Sequence, residues 1–151
     1  MRTRPAANDD REFILSLADR LAIPNLPPWR NAADVAYGTR IRLQEALHES
    51  DPSAAFIIAE EDDGRAAGFA WVHAIRDWYT LRDIAKLEEI AVVEDGRGAG
   101  SALMQAVEAW ARAHACELLV LNVLKENDRA RRLYERHGFS DEHTLMTKDL
   151  R

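Results

Sequence analysis

The sequence predicts an α/β layer sandwich on a mixed sheet, with elements in the order β-α-α-β-β-β-α-β-α-β. Three observations lead there. Short apolar runs of strand length alternate with stretches whose apolar residues recur at helical spacing. An Asp62-Asp63-Gly64-Arg65 turn joins two of the runs as an antiparallel hairpin. Further on, a strand passes straight into a helix through Gly96, Gly98 and Gly100.

Met1 to Ala6 is read as a short first strand. Asn8 is the N-cap candidate of the first helix, with Asp9 and Asp10 in the turn where the helix dipole favours acids. Phe13, Ile14, Leu17, Ala18 and Leu21 carry that helix to about Leu21, and Pro24, Pro27 and Pro28 forbid its continuation. A second helix is expected from about Asn31 to Glu49, ahead of Asp51-Pro52. Ala54 to Glu60 and Ala67 to Ala74 are the two arms of the hairpin, and Leu87 to Val93 is the next strand. Leu103, Met104, Val107, Trp110 and Ala111 mark one face of a long helix running to about Ala115. Glu117 to Leu124 has the continuous apolar character of a buried strand. A short helix follows and stops at Gly138, and Thr144 to Leu150 is read as a final strand.

Composition narrows the function classes. The chain has 151 residues, a length that suits a single domain with a real core, here taken as 1–151. One Cys excludes an internal disulfide framework and any multi-cysteine zinc site. The five histidines show no metal-ligand spacing, so no metal is expected. No apolar run reaches the roughly 18 residues of a membrane span, and no apolar segment follows the basic residues at the start, so a cytoplasmic protein is expected. A formal charge of −6 argues against a general nucleic-acid binder.

The segment Glu94-Asp95-Gly96-Arg97-Gly98-Ala99-Gly100-Ser101 is the first chemical signal. Glycines let the chain turn sharply and admit a ligand close to free N–H groups. The start of a helix presents those donors, and its dipole, to an anion such as phosphate. Arg97 adds a positive charge beside them. The plain alternative is a strand-to-helix turn with no ligand. A P-loop would need Lys before Ser101, and a dinucleotide fingerprint would need Gly at 101, so both of those fail.

The second signal is Asn127-Asp128-Arg129-Ala130-Arg131-Arg132-Leu133-Tyr134-Glu135-Arg136-His137-Gly138-Phe139. Asn127, Ala130 or Arg131, and Tyr134 share one helical face, while Leu133 points off it toward the core. Taken alone, Tyr134 reads as a core or edge aromatic. Together, R-G-x-G-x-G/A and N-x-x-A-x-x-L-Y-E-x-x-G-F at this separation resemble the GNAT superfamily of acyl-CoA-dependent N-acyltransferases. The resemblance is specific over residues 85–139, and the element order over 1–84 is compatible with it. It implies a mixed sheet of six to seven strands flanked by about four helices.

What the resemblance implies for the site follows residue by residue. The amides of Arg97, Gly98, Ala99, Gly100 and Ser101 would bind the pyrophosphate of acetyl-CoA. The backbone of Ile90, Ala91 and Val92 would pair with its pantetheine arm. Asn127 would hydrogen-bond the cosubstrate, Ala130 would leave room for it, Arg131 would meet its phosphates, and Tyr134 would protonate the departing thiolate. The family's turn normally begins with Gln or Arg, but Asp95 stands here beside Glu94. Those carboxylates either crowd the phosphates or cap the helix start, and Asp95→Arg is expected to tighten acetyl-CoA binding.

An attacking amine must be neutral, so a base is needed; Glu88 and Glu89 are the candidates. Alternation along a strand sends them to opposite faces, with Glu89 favoured because Glu88 shares parity with the core-facing Ile90 and Val92. Trp29, Trp78 and Tyr79 are candidate walls of an amine pocket, with Asp77 or Asp83 as counter-ion. Trp71, Trp110 and Cys116 are read as core, and His73 as structural. The leading function is acetyl transfer from acetyl-CoA to a primary amine of a small molecule. A protein or peptide N-terminal acetyltransferase and a catalytically silent acyl-CoA-binding module are the alternatives. A homodimer is compatible with the family, and no segment specifies its interface.

Overall fold

In the computed structural model, residues 1–21 and 25–151 are described; the proposed helix stop at Pro24 and the acceptor-loop reading of residues 22–24 lie outside them. The strands are β1 (Arg2–Pro5), β2 (Ala54–Glu60), β3 (Ala66–Arg76), β4 (Asp83–Val92) and β5 (Leu119–Leu121). The helices are α1 (Arg11–Ser16), α2 (Ala32–His48), α3 (Ala99–Ala113) and α4 (Asp128–Arg136), with short 3₁₀ turns at Asn8–Asp10 and Ala18–Leu21. The strands lie in the order β1-β2-β3-β4-β5; the first four are antiparallel neighbours, and β5 runs parallel to β4.

The sheet is apolar on both faces because each face has its own helical cover. Alternation along β2 sends Ile57 and Ala59 to a core shared with α3, and Ile58 to a core shared with α1 and α2. Likewise Ala70 and Val72 of β3 face α3, whereas Phe69 packs with Ile14, Leu17 and Leu43. Leu103, Met104 and Val107 are completely buried along the inner stripe of α3. Burying each such side chain is worth about 1.5–3 kcal/mol before entropy is charged. No helix among the described residues is long and apolar enough to cross a membrane.

The sheet has five strands among the described residues, fewer than the expected six to seven. Glu117–Leu124 forms a ladder only over Leu119–Leu121, because β4 and β5 part after Leu87↔Leu121 and the following residues have no strand to meet. Thr144–Leu150 is not a strand; it runs exposed, with Leu145, Met146 and Leu150 in solvent. The first helix is also shorter than its periodicity implies. Asn8 does not cap it. Instead the Asp10 carboxylate accepts from the Ala7 N–H at 2.7 Å and from Arg4 at 2.6 and 2.9 Å, so side-chain bonds shape the entry. Asn31 does cap α2, accepting from the Asp34 N–H at 2.8 Å.

Candidate active site

The site is organised by a break in strand regularity. Along the β3–β4 ladder Trp71 faces Glu89, but the next pair is Val72↔Leu87, so Glu88 is an extra residue in a β-bulge. One inserted residue changes the parity of everything beyond it. Glu88 and Glu89 therefore do not take opposite faces as simple alternation requires; both reach Arg42 of α2. Glu88 Oε1 accepts from Lys86 Nζ at 2.7 Å and shares a hydrogen bond with His73 Nε2 at 2.9 Å. Arg42 stands 3.7 Å from Glu88 Oε2 and donates to Glu89 Oε1.

The neighbours tune the two carboxylates apart. Burial alone would raise Glu88, but the hydrogen bonds from Lys86 and His73 hold it below its ordinary value. Burial raises Glu89; the charge and hydrogen bond of Arg42 oppose that rise, and the charge of Glu88 adds to it. Glu89 is thus the more basic of the pair. Their side chains are 16% and 14% exposed, enough for a small molecule to touch them.

Beyond Leu87↔Leu121 the β5 side of β4 has no ladder partner among the described residues, which leaves the backbone of Ile90, Ala91 and Val92 open along that edge. The strand leads into the glycine turn, where Gly96 and Gly98 have φ of 75° and 88°. Any L side chain there would be strained, and a Cβ on either would meet no protein atom within 4 Å. Gly98 is the N-cap of α3 without any side-chain cap, and its first turn holds no acid. The amides of Ala99, Gly100 and Ser101 consequently lack a side-chain acceptor, and an anionic pyrophosphate fits that nest.

Glu94 and Asp95 do not cap α3. Glu94 accepts from Arg97 at 3.2 Å, and Asp95 pairs with Arg129 of α4. The carboxylate that looked most hostile to a phosphate is therefore already neutralised, and it ties the turn to α4.

Helix α4 carries the second constellation. Asn127 caps it, its Oδ1 accepting from the Ala130 N–H at 3.2 Å, which leaves the amide NH₂ for a ligand. Leu133 enters the α3-side core and touches Gly100, whose Cβ would lie 3.4 Å from it. Arg131 is paired with Asp141 at 3.1 Å. Tyr134 packs against the same core beside Phe139, ring centroids 5.9 Å apart. Burial, with the nearby Glu89 charge adding to it, pushes the phenol up to about 12. The acid and base candidates thus share one electrostatic neighbourhood.

On the other side of β4, Trp29, Arg30, Asp34, Thr39 and Arg42 line an open cleft of about 340 Å³. Trp29 is where the sequence expects a pocket wall. Asp77 is not a free counter-ion: it is buried, takes Thr80 Oγ1 at 2.5 Å and the Thr80 N–H at 3.1 Å, and shapes its own loop. Asp83 faces Arg76 at 3.5 Å. Trp78 is 87% exposed, and Tyr79 is exposed beside it. Trp71 stacks between Phe56 and His73. Cys116 is buried, and burial pushes its thiol up, away from nucleophilic use. Sequence reasoning missed Arg42 and Lys86 and read His73 as structural. Lys86 faces His73 only through the β3–β4 register set by the bulge, which no sequence signal announces.

A mixed sheet that splits beside an uncapped helix start offers an extended ligand an open strand edge and an anion a set of free amides. The chain belongs to the acetyltransferase (GNAT) family, whose profile matches residues 19–139, and it is an acyltransferase. A putative acetyl transferase from Pyrococcus furiosus is similar in fold, with TM-score 0.78 and 22% identity over 99% of this chain and 100% of that one. The aminoglycoside 6'-N-acetyltransferase AAC(6')-Ih from Acinetobacter baumannii superposes with TM-score 0.69 at 21% identity, covering 98% and 97% of the two chains. AAC(6')-Iy, solved with the bisubstrate analogue CoA-S-monomethyl-acetylneamine, gives TM-score 0.72 at 21% identity over 99% and 97%. A search of curated protein sequences finds no match to this chain.

Proposed function

We propose that this acyltransferase moves the acetyl group of acetyl-CoA to a primary amine of a small molecule, by direct attack in a ternary complex. The observation that carries the reading is the unladdered edge of β4 at Ile90, Ala91 and Val92 running into the glycine-rich, uncapped start of α3. Glu89 lies on that strand, and its charge is among the causes that raise Tyr134. In this reading the amides of Arg97, Gly98, Ala99, Gly100 and Ser101 hold the pyrophosphate. The open edge at Ile90, Ala91 and Val92 takes the pantetheine arm, while Asn127, Ala130 and Arg131 border it. The amine enters from the α2 side and loses a proton to Glu89, directly or through one water, with Glu88 as the fixed charge beside it. Its nitrogen attacks the thioester carbonyl carbon, and a backbone N–H near Val92 faces the developing oxyanion. As the C–S bond breaks, Tyr134 gives its proton to the sulfur.

A phenol at about 12 is fully protonated at neutral pH, which suits a proton donor. The small-molecule acceptor is supported by the open cleft on α2 and by neighbours that act on aminoglycosides. The test is thiol release from acetyl-CoA against a panel of amino sugars, polyamines, amino acids and N-terminal peptides. Release with small amines carries the reading. Release with peptides alone replaces it with an N-terminal acetyltransferase, and tight acetyl-CoA binding without release from any amine replaces it with a silent binder.

A further inference from the structure

Arg42 is assigned no role by the proposed reaction. It stands on α2, half exposed, with its stem along the cleft wall and its guanidinium against both carboxylates. The two carboxylates are not equivalent in their partners. Glu88 is held by Lys86 and His73 as well as by Arg42, so it keeps compensating charge whatever Arg42 does. Glu89 has Arg42 as its one bonded cation among the described residues. If Glu89 receives the amine, the cation of the incoming substrate and the guanidinium compete for the same oxygens.

We propose that Arg42 is the internal stand-in for the acceptor's ammonium group, and that acceptor binding exchanges one cation for the other at Glu88 and Glu89. The proposal rests on the reading of these carboxylates as the acceptor end of the site. It makes Arg42 a specificity-determining residue. An acceptor must bring enough positive charge to replace a guanidinium, so polycationic amines are preferred over monoamines and over zwitterions. The exchange is physically cheap. Arg42 is 47% exposed on the flank of a helix, and its side chain can turn into the solvent-open cleft without unpacking α2. A half-exposed ion pair of this kind is also weak enough for a ligand to displace.

The test uses spermidine as the probe polyamine, titrated by calorimetry into the wild type and into Arg42→Ala, with and without CoA. Arg42→Ala is expected to bind spermidine roughly three- to tenfold more tightly, because no internal cation has to leave. Arg42→Lys is expected to restore the weaker wild-type affinity, and Glu89→Gln placed on Arg42→Ala to abolish the gain. Arg42→Met, which keeps the apolar stem, replaces Arg42→Ala if the melting temperature shows α2 loosened. Equal or weaker spermidine binding by the arginine-free variants overturns the proposal. So does an absence of spermidine binding in every variant, or a gain that survives Glu89→Gln. Acetyl-CoA titrated into the same samples separates the two readings: loss of acetyl-CoA binding with the spermidine pattern intact sinks the proposed reaction and leaves the cation exchange standing.

Discussion

Two side chains carry the proposed chemistry at the scale of single residues. Tyr134 is partly buried and raised to about 12, so it holds its proton through the whole working range and donates only to a strongly basic atom. Tyr134→Phe removes that proton and little else, because the ring keeps its contacts with Phe139 and the α3-side core. Turnover should fall about 100-fold while acetyl-CoA affinity changes less than about twofold, read by steady-state thiol release and calorimetry. Glu89 makes the converse prediction. Its basic form is the ionised one and burial raises it, so activity should fall as pH drops through a value above that of an ordinary glutamate. Glu89→Gln should abolish that acid limb in the pH profile of kcat/KM. Full turnover in both Glu88→Gln and Glu89→Gln across roughly pH 6 to 9 would remove both from the mechanism. Asp95 is a third point. The sequence alone expects a gain in acetyl-CoA affinity from Asp95→Arg, and the Arg129 pairing adds a simpler route: Asp95→Asn frees Arg129, and calorimetry should find severalfold tighter binding that weakens with salt.

At the scale of elements, the contact between β3 and β4 fixes the line that the cosubstrate is proposed to follow. Gly68 lies opposite Val92, and a Cβ there would sit 2.6 Å from the Ala91 carbonyl oxygen and 3.1 Å from the Val92 Cα. These are backbone atoms that cannot turn aside. Gly68→Ala should cost about 1–3 kcal/mol in thermal or denaturant unfolding and weaken acetyl-CoA binding by displacing Ala91 and Val92. Local elements of this kind were largely legible in the sequence. The glycine turn, the start of α2 near Asn31 and the strand Ala54–Glu60 all follow from residue types at short range. The uncapped start of α3 does not, since Glu94 and Asp95 are its candidate caps by sequence and pair elsewhere. The bulge was not legible, because nothing in Leu87-Glu88-Glu89-Ile90 announces an unpaired residue; it exists only against the register of β3. Arg42 was invisible for the same reason, since 47 positions of chain separate it from Glu89. The final strand failed in the opposite sense. Thr144–Leu150 has strand-like residues, but a strand needs a neighbour, and β5 offers three laddered residues.

For the molecule as a whole, charge is divided rather than spread. From Lys125 to Arg136 there are five basic residues against three acids, around the face proposed for an anionic cosubstrate. From Ala85 to Asp95 there are four acids against one Lys. Glu88 and Glu89 lie at the end proposed for a cationic amine, while Glu94 and Asp95 belong to the glycine turn and pair with Arg97 and Arg129. A third group of charges serves the fold. Arg2 and Arg4 of β1 reach Glu60 at 2.8 and 2.5 Å, and Arg4 also holds Asp10, so one network joins the edge strand, the hairpin and the first helical turn. Both acids are largely buried in residue terms, and the Arg4 hydrogen bond is the leading cause that lowers each. The sign of the pH effect follows. Carboxylates with depressed folded-state pKa values stabilise the fold fully above their ordinary values of 3.8 and 4.5, and that contribution is lost as pH falls through the lowered ones. Removing Arg4 leaves Asp10 with no cation among the described residues and Glu60 with Arg2 alone, and both acids are largely shielded from water, a larger effect than deleting an exposed pair. Arg4→Met should therefore lower Tm at pH 7 by at least about 5 °C, and the gap from the wild type should close as pH is taken below about 4. A gap that stays constant from neutral to acid pH would mean that Arg4 acts through packing of its stem, with no contribution from charge.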